Sequence, residues 1–311
     1  MSAWGTLSAL TALGMGQQVY TASVEAIIAE TGSEIIVLES EASERMTVPV
    51  SVMGQGPFAF IVDTGAQVSV ISRELADALA IEDRRPGKLV ALNSSRQVEI
   101  ADVPDVKLGS REFDLYGAPL LARDNLGGID GILGLDSLQD QRVMLDFENN
   151  RMAVAPAKDL GGTRGFEIVV RARRRQGQLI ITDARLDGVQ VAVMIDTGAQ
   201  GTTGNMALMR RLRKPETGGA SILTDVNGVS ISAPVLIARS LSFGHAKLSN
   251  VLVSFTNSPT FNALDLADDP AIILGMSELS LFDRVAVDFE KRRLLFDMPG
   301  SIRHANRRGS R

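Results

Sequence analysis

Two apolar runs of strand length each end on an aspartate. Residues 58–62 read FAFIV and lead into Asp63; residues 191–195 read VAVMI and lead into Asp196. Unbroken apolar runs this short predict central strands, buried on both faces. Residues 47–52, TVPVSV, alternate apolar and polar and predict a half-buried strand. Residues 72–80, SRELADALA, switch to helical spacing behind Ser72, a good N-cap, and predict a short helix. NMALMRRLR, residues 205–213, stands at the same place after Asp196. LDSLQD (135–140) and MSELSLF (276–282) also read as short helices. VMLDFENNRMAV (143–154) and VAVDFEKRRLLF (285–296) read as hairpins turning at Asn149-Asn150 and Lys291-Arg292. Two further hairpins are predicted. One is LVALNSSRQVEI around Asn93, Ser94 and Ser95; the other is SILTDVNGVSIS, turning at Asn227-Gly228. The chain therefore reads as mainly β with short helices.

These elements recur in one order. Asp-Thr-Gly-Ala-Gln occurs at 63–67 and at 196–200, which is 196 − 63 = 133 positions apart. Ile132-Leu133-Gly134 matches Ile273-Leu274-Gly275, and there the offset is 274 − 133 = 141. The second copy thus carries about eight extra residues between its motifs. Residues 256–270, TNSPTFNALDLADDP, are the expected insertion, a loop by their Asn, Pro and Asp content. APAKDLGGTRG, around 156–165, reads as a linker. The expected organisation is one lobe at 45–155 and a second at 166–298. Residues 1–44 would be a leader or flexible extension, and residues 299–311 a basic tail.

Composition narrows the chemistry. The 311 residues are 45% apolar and 22% charged, ordinary for a globular protein. A net charge of −5 argues against a nucleic-acid partner. There is no cysteine, hence no disulfide, thiol nucleophile or thiolate metal site. The two histidines are His245, in a turn context after Gly244, and His304, in the tail; neither suits a catalytic triad or a zinc cluster. No metal or other cofactor is expected, and elimination leaves carboxylates as the reactive groups. Residues 4–15 are mildly apolar, like the core of an export signal, but no basic residue precedes Arg45. A periplasmic or exported protein is the first expectation and a cytoplasmic one the alternative. No stretch is apolar enough for a membrane-spanning helix.

An ionised carboxylate at the end of a buried strand is costly unless it is paired or hydrogen-bonded. The Thr-Gly turn after each aspartate offers backbone amides for that purpose. Two identical sites on two similar lobes point to a pseudo-two-fold axis that brings the aspartates face to face. Two adjacent carboxyls cannot both ionise cheaply, so one pKa rises and the pair shares a proton. A water between them meets a base on one side and an acid on the other.

The doubled DTGA, each copy followed by ILG, resembles the aspartic proteases. Alanine at 66 and 199, the near-equal lobes and the lack of cysteine resemble the retropepsin side of that clan. The chain is similar to two such subunits fused, over residues 45–298. The resemblance implies two closed β-barrel lobes related by a pseudo-two-fold axis, with Asp63 and Asp196 as the catalytic dyad. It implies that Thr64 and Thr197 cross-brace the two loops and that Gly65 and Gly198 offer amides and close approach. Ala66 and Ala199 would border subsites, and Gly134 and Gly275 would let chain segments cross behind the aspartates. The hairpins at 91–100 and 222–232 would be two flaps over an extended polypeptide substrate, with Asn93, Ser94, Asn227 and Gly228 near it. The implied protein is a monomer with an internal pseudo-dimer.

Some features depart from the family pattern. Tyr116 lies past the first hairpin, so no flap tyrosine is evident. Gln67 and Gln200 stand where viral members often carry acidic substrate-holding residues. GQGPFA, 54–59, leads into a strand and is not a dinucleotide motif. RARRR, 171–175, reads as a solvated strand end or hairpin tip, with an acidic partner as the second reading. Asp130, Asp136, Asp146 and Asp288 are expected in turn or capping roles. The sequence favours an aspartic endopeptidase. A non-catalytic peptide-binding or scaffolding protein on the same fold is the rival, and a self-processing or single-substrate protease a third reading.

Overall fold

The computed structural model describes residues 47–213 and 216–299, preceded by three short strands, β1 (Ala26–Ile28), β2 (Glu34–Ile36) and β3 (Leu38–Glu39). The apolar stretch at 4–15 and the basic tail with His304 lie outside the described residues.

The first lobe runs through β4 (Thr47–Val52), β5 (Gln55–Val62), β6 (Val70–Ser72), β7 (Arg84–Val90), β8 (Ser95–Leu108), β9 (Arg111–Leu121) and β10 (Gly131–Leu133). They form a sheet in the order β4-β5-β10-β6-β9-β8-β7, and β4 also pairs with β8. That extra pairing closes six strands into a barrel and leaves β7 outside it. Closure removes the exposed edges of an open sheet. The alternation read in TVPVSV is real: Val48, Val50 and Val52 point into the core. Ser72 caps α1 (Arg73–Ala78) by accepting from the Leu75 amide at 3.1 Å. The strand β8 outruns the barrel, and its first half pairs with β7 as a projecting hairpin.

Two strands, β11 (Arg142–Asp146) and β12 (Arg151–Ala155), follow the short helix α2 (Leu135–Leu138). The second half then opens with β13 (Ile168–Arg171) and β14 (Arg173–Arg175). It continues through β15 (Gln178–Leu186), β16 (Val189–Ile195) and β17 (Thr202–Asn205). Next come α3 (Met206–Arg211), β18 (Glu216–Thr224), β19 (Ser230–Phe243) and β20 (Ala246–Thr256). Last are α4 (Pro259–Ala263), β21 (Ala271–Leu274), α5 (Met276–Leu279), β22 (Arg284–Asp288) and β23 (Arg293–Asp297). The order β14-β15-β16-β21-β17-β20-β19-β18, closed by β15–β19, repeats the first barrel. His245 sits exposed in the β19–β20 turn.

A six-stranded sheet, β13-β23-β22-β11-β12-β3, joins the lobes. Its centre is the antiparallel pair β11–β22, where Arg142 faces Asp288 and Asp146 faces Arg284. Each lobe thus presents an Arg and an Asp to the other in matching register, as a pseudo-two-fold axis requires. The Arg142 guanidinium and Asp288 carboxylate are fully buried and 2.6 Å apart. Arg142 also donates to the carbonyl of Gly162, which ties residues 156–165 to this sheet.

Two expectations change here. Strand β3 falls within the stretch read as an extension, yet it pairs with β12 through Leu38–Met152 and Glu39–Arg151. It covers the edge of β12 as β13 covers β23, so the symmetry of the sheet reaches back before residue 45. Residues 256–270 are not all loop. Ser258 caps α4 by accepting from Thr260, and Phe261, Leu264 and Leu266 are buried against Ile180 and Ile273. Their apolar spacing was masked by the surrounding Asn, Pro and Asp.

Candidate active site

The parallel pairing of β10 with β5 aligns Leu133 with Val62, and that of β21 with β16 aligns Leu274 with Ile195. The Asp63 amide donates to the Leu133 carbonyl at 2.9 Å and the Asp196 amide to the Leu274 carbonyl at 3.0 Å. Each aspartate is therefore fixed at the end of a central strand by the apolar pair that precedes Gly134 or Gly275. Those glycines pass where no side chain fits. A Cβ on Gly134 would lie 2.7 Å from the Val68 carbonyl oxygen, and one on Gly275 would lie 2.4 Å from that of Gly201. Chain segments cross behind the aspartates, as the sequence led us to expect.

Each carboxylate is gripped by its own turn. Asp63 Oδ1 accepts from the amides of Gly65 at 2.7 Å and Ala66 at 3.1 Å. Asp196 Oδ1 accepts from Gly198 at 2.9 Å and Ala199 at 3.0 Å. The other faces of the same glycines touch the opposite aspartate. A Cβ on Gly65 would sit 2.4 Å from Asp196 Oδ2, and one on Gly198 2.3 Å from Asp63 Oδ2. No residue with a side chain fits at 65 or 198 while the two acids stay together.

The loops are locked to each other by threonines. Thr64 Oγ1 donates to the Ile195 carbonyl at 2.9 Å, and Thr197 Oγ1 to the Val62 carbonyl at 2.7 Å. Each hydroxyl also accepts the other threonine's amide, at 3.0 and 3.2 Å. Gln178, buried on β15, donates to the Gly65 carbonyl at 2.6 Å and adds a further tie between lobes.

The Asp63 and Asp196 carboxyls are in hydrogen-bonding contact. Burial first, then the Asp63 charge and hydrogen bond, push Asp196 well above the usual carboxylate range, while the Gly198 and Ala199 amides pull it down. The net rise means that the pair retains a proton which two isolated aspartates would release.

Above the dyad is a cavity of about 280 Å³. Its apolar walls include Ile61, Leu126 and Ile132 from one lobe and Ile273 from the other. Ala66 and Ala199 line it; Gln67 and Gln200 are exposed beside it and not among its walls. The roof is formed by the tips of the β7–β8 and β18–β19 hairpins, which are interlocked. Asp225 Oδ2 accepts from the Asn93 amide at 3.1 Å and from the Ser94 hydroxyl at 2.7 Å. Its Oδ1 accepts from the amides of Asn227 and Val229, both at 3.0 Å. Asn93 Nδ2 reaches the Leu223 and Val229 carbonyls, Asn227 Nδ2 reaches Ser94 Oγ, and Arg96 reaches the Asn227 carbonyl. Gly228, at φ +75°, makes the second tip possible. Asn93, Ser94, Asn227 and Gly228 thus hold the two tips together, whereas Val90, Leu92, Thr224 and Val226 face the cavity.

Sequence reasoning missed Asp225, Arg96 and Gln178. It also missed a pair of braces behind the dyad. Ser69 Oγ donates to Asp136 at 2.6 Å and accepts from the Gly134 amide at 3.0 Å. Thr202 Oγ1 and Glu278 repeat that arrangement under Gly275. Burial raises the Glu278 pKa, against the pull of the Thr202 hydroxyl. The matched places of Ser69 and Thr202 in the two copies were the available signal. The other aspartates noted in the sequence are structural: Asp130 accepts from the Ala59 amide and pairs with Arg123, and Asp146 closes the Asn149 turn. Among the described residues no cluster of His, Asp and Glu has the arrangement of a metal site, and no helix is long and apolar enough to cross a membrane.

A family model described as aspartyl protease matches residues 48–137 and again residues 182–277. One match falls on each half, and the chain belongs to the aspartyl protease family. A solved retropepsin-like aspartic protease from Rickettsia conorii is similar over 42% of this chain and 88% of its own, at 22% identity and a TM-score of 0.28. A score that low adds no weight.

Proposed function

We propose that the chain is an aspartic endopeptidase working as a single chain, with Asp63 and Asp196 as its dyad. The observation that carries this is the contact of two buried carboxyls from different lobes, each against the other's glycine turn, beneath a cavity roofed by both hairpin tips. The raised titration belongs to the pair, which holds one proton between two carboxyls, so one serves as acid and the other as base. A water between them loses a proton to the ionised carboxyl as its oxygen bonds to the peptide carbonyl carbon. The proton of the other carboxyl moves to the carbonyl oxygen, giving a neutral gem-diol. The proton taken from water passes to the amide nitrogen while a gem-diol hydroxyl returns its proton to the carboxylate that first donated one; the C–N bond breaks, an amine and a carboxylic acid leave, and the dyad is restored. The interlocked tips bridge the cavity from both lobes, so they part to admit a polypeptide in extended form.

A digest of a broad peptide library at several pH values, with products mapped by mass spectrometry, tests this reading. Cleavage at interior bonds is expected. Persistent absence of cleavage, with tight binding of an extended peptide, would favour the non-catalytic rival. Nothing in the site itself favours that rival, since both acids, both threonines and both glycines are in place.

A further inference from the structure

The triplet Arg173-Arg174-Arg175 forms the exposed strand β14, and it does not stand alone. Together with Arg211 from α3 it surrounds a depression of about 380 Å³ on the second lobe. Ile180, Val191, Ala192, Leu266 and Pro270 make its floor, and Asp269 is the one acid among its lining residues. Four arginines against one aspartate among the lining residues leave a positive excess on a protein whose net charge is −5. Arg174 and Arg175 are each anchored to a backbone carbonyl. Arg174 donates to the Phe289 carbonyl at 3.1 Å, and Arg175 to the Asp265 carbonyl at 2.8 Å.

This depression shares a wall with the dyad cavity. Thr260 at the start of α4 lines the cavity, while Leu266 and Pro270, further along the same segment, line the depression. Between them Phe261 and Leu264 pack with Ile180 and Ile273 into one apolar partition. On the other side, the turn after Arg175 leads straight to Gln178, which holds the Gly65 carbonyl. The feature also belongs to one lobe only. The α4 segment lies in the insertion that lengthens the second copy, and 133 positions before the arginines the chain reads Ser40-Glu41-Ala42.

We propose that this depression is an exosite for a stretch of acidic side chains in the polypeptide substrate, beyond the bond held over the dyad. The inference rests on the endopeptidase reading. Guanidinium forks pair with carboxylates in two-pronged fashion, and the apolar floor accepts the methylenes of glutamate. Such a site acts on affinity and orientation, and its contribution falls with added salt.

The test measures binding apart from cleavage. Fluorescent peptides with one apolar core and a flank of either three glutamates or three serines, placed at either end, are titrated against the full chain carrying Asp63→Asn. With at least one flank position, the glutamate peptide is expected to bind about tenfold tighter than its serine counterpart. That ratio should fall to about one in 0.5 M NaCl, and also when Arg173→Glu and Arg211→Glu are added. Equal binding of the two peptides would overturn the proposal, as would a glutamate preference that survives the charge reversals. So would displacement of the acidic peptide by a single-stranded oligonucleotide at lower concentration than by unlabelled acidic peptide. Cleavage by the unmodified chain is read separately. Peptides that bind with the expected ratio and are never cut would count against the endopeptidase reading and not against the exosite.

Discussion

Thr64 and Thr197 each donate a hydroxyl proton to the backbone carbonyl that precedes the other's aspartate, Ile195 and Val62 respectively. The bonds are short, reciprocal and within the interface between lobes. Neither lobe can shift its active-site loop without breaking both. Replacing Thr64 by Val strands a buried carbonyl and a buried amide, and should cost about 1–3 kcal/mol in urea unfolding. Thr64→Ser should cost less. In a double-mutant cycle with Thr197→Val the two losses should not add, with a coupling of about 0.5–3 kcal/mol.

The closest approach in the site involves glycine. Gly65→Ala would put a methyl 2.4 Å from Asp196 Oδ2. The acids must separate, and a displacement near 1 Å is worth about 10²-fold in rate. We expect Gly65→Ala and Gly198→Ala to fold, by circular dichroism, and to lose at least about 10²-fold in peptide cleavage. Wild-type rates in either would contradict the observed contact.

The proton on the dyad sets a pH dependence. Burial and Asp63 hold Asp196 above its ordinary range. Below about pH 3.9, the usual aspartate value, folded and unfolded chains both keep this proton. As pH rises further the unfolded chain releases it first, so the folded state loses stability until the raised value is passed. Asn at 196 is neutral throughout. The stability of Asp196→Asn relative to wild type should therefore climb between pH 4 and pH 7 in urea titrations. A flat difference would contradict the raised pKa. Cleavage should fall over the range in which the shared proton is lost.

Asp225 accepts all the bonds its carboxylate can readily hold, from both hairpin tips. Asp225→Ala should let the flaps part. Hydrogen exchange at the amides of Asn93, Asn227 and Val229 should quicken by at least tenfold, with the barrel amides unchanged. If exchange at the tips stays at the wild-type rate, the clasp is not what keeps them closed.

The Arg142–Asp288 pair is fully buried and spans the lobes. Removing one partner leaves the other charge without water or counter-charge. Asp288→Ala should cost about 3–5 kcal/mol, read by thermal or urea unfolding, and more than loss of the exposed Arg85–Asp102 pair.

Much of this could be read from the chain. The apolar runs before Asp63 and Asp196 became β5 and β16, Ser72 became a cap, and the doubled motif marked the two turns that the structure brings against each other. These are local signals, carried by periodicity and by short motifs. The sheet that joins the lobes and the clasp between the hairpin tips left no such trace. The two hairpins after the ILG motifs were visible, but not that β11 pairs with β22, because pairing depends on register between distant segments. Asn93 was legible as a turn residue; its bond to Asp225 was not, since the corresponding position in the first flap is Ala91 and the repeat predicts symmetry. The helix α4 was lost because Phe261, Leu264 and Leu266, set among polar residues, look like loop until the neighbouring barrel supplies a surface for them.

The central claim is that Asp63 and Asp196 act together on one water. Its most direct test is cleavage of a peptide-library substrate by wild type, Asp63→Asn and Asp196→Asn, each confirmed as folded. The account predicts cleavage by the wild type and a loss of at least about 10²-fold in each single variant. Full cleavage by either variant would contradict it.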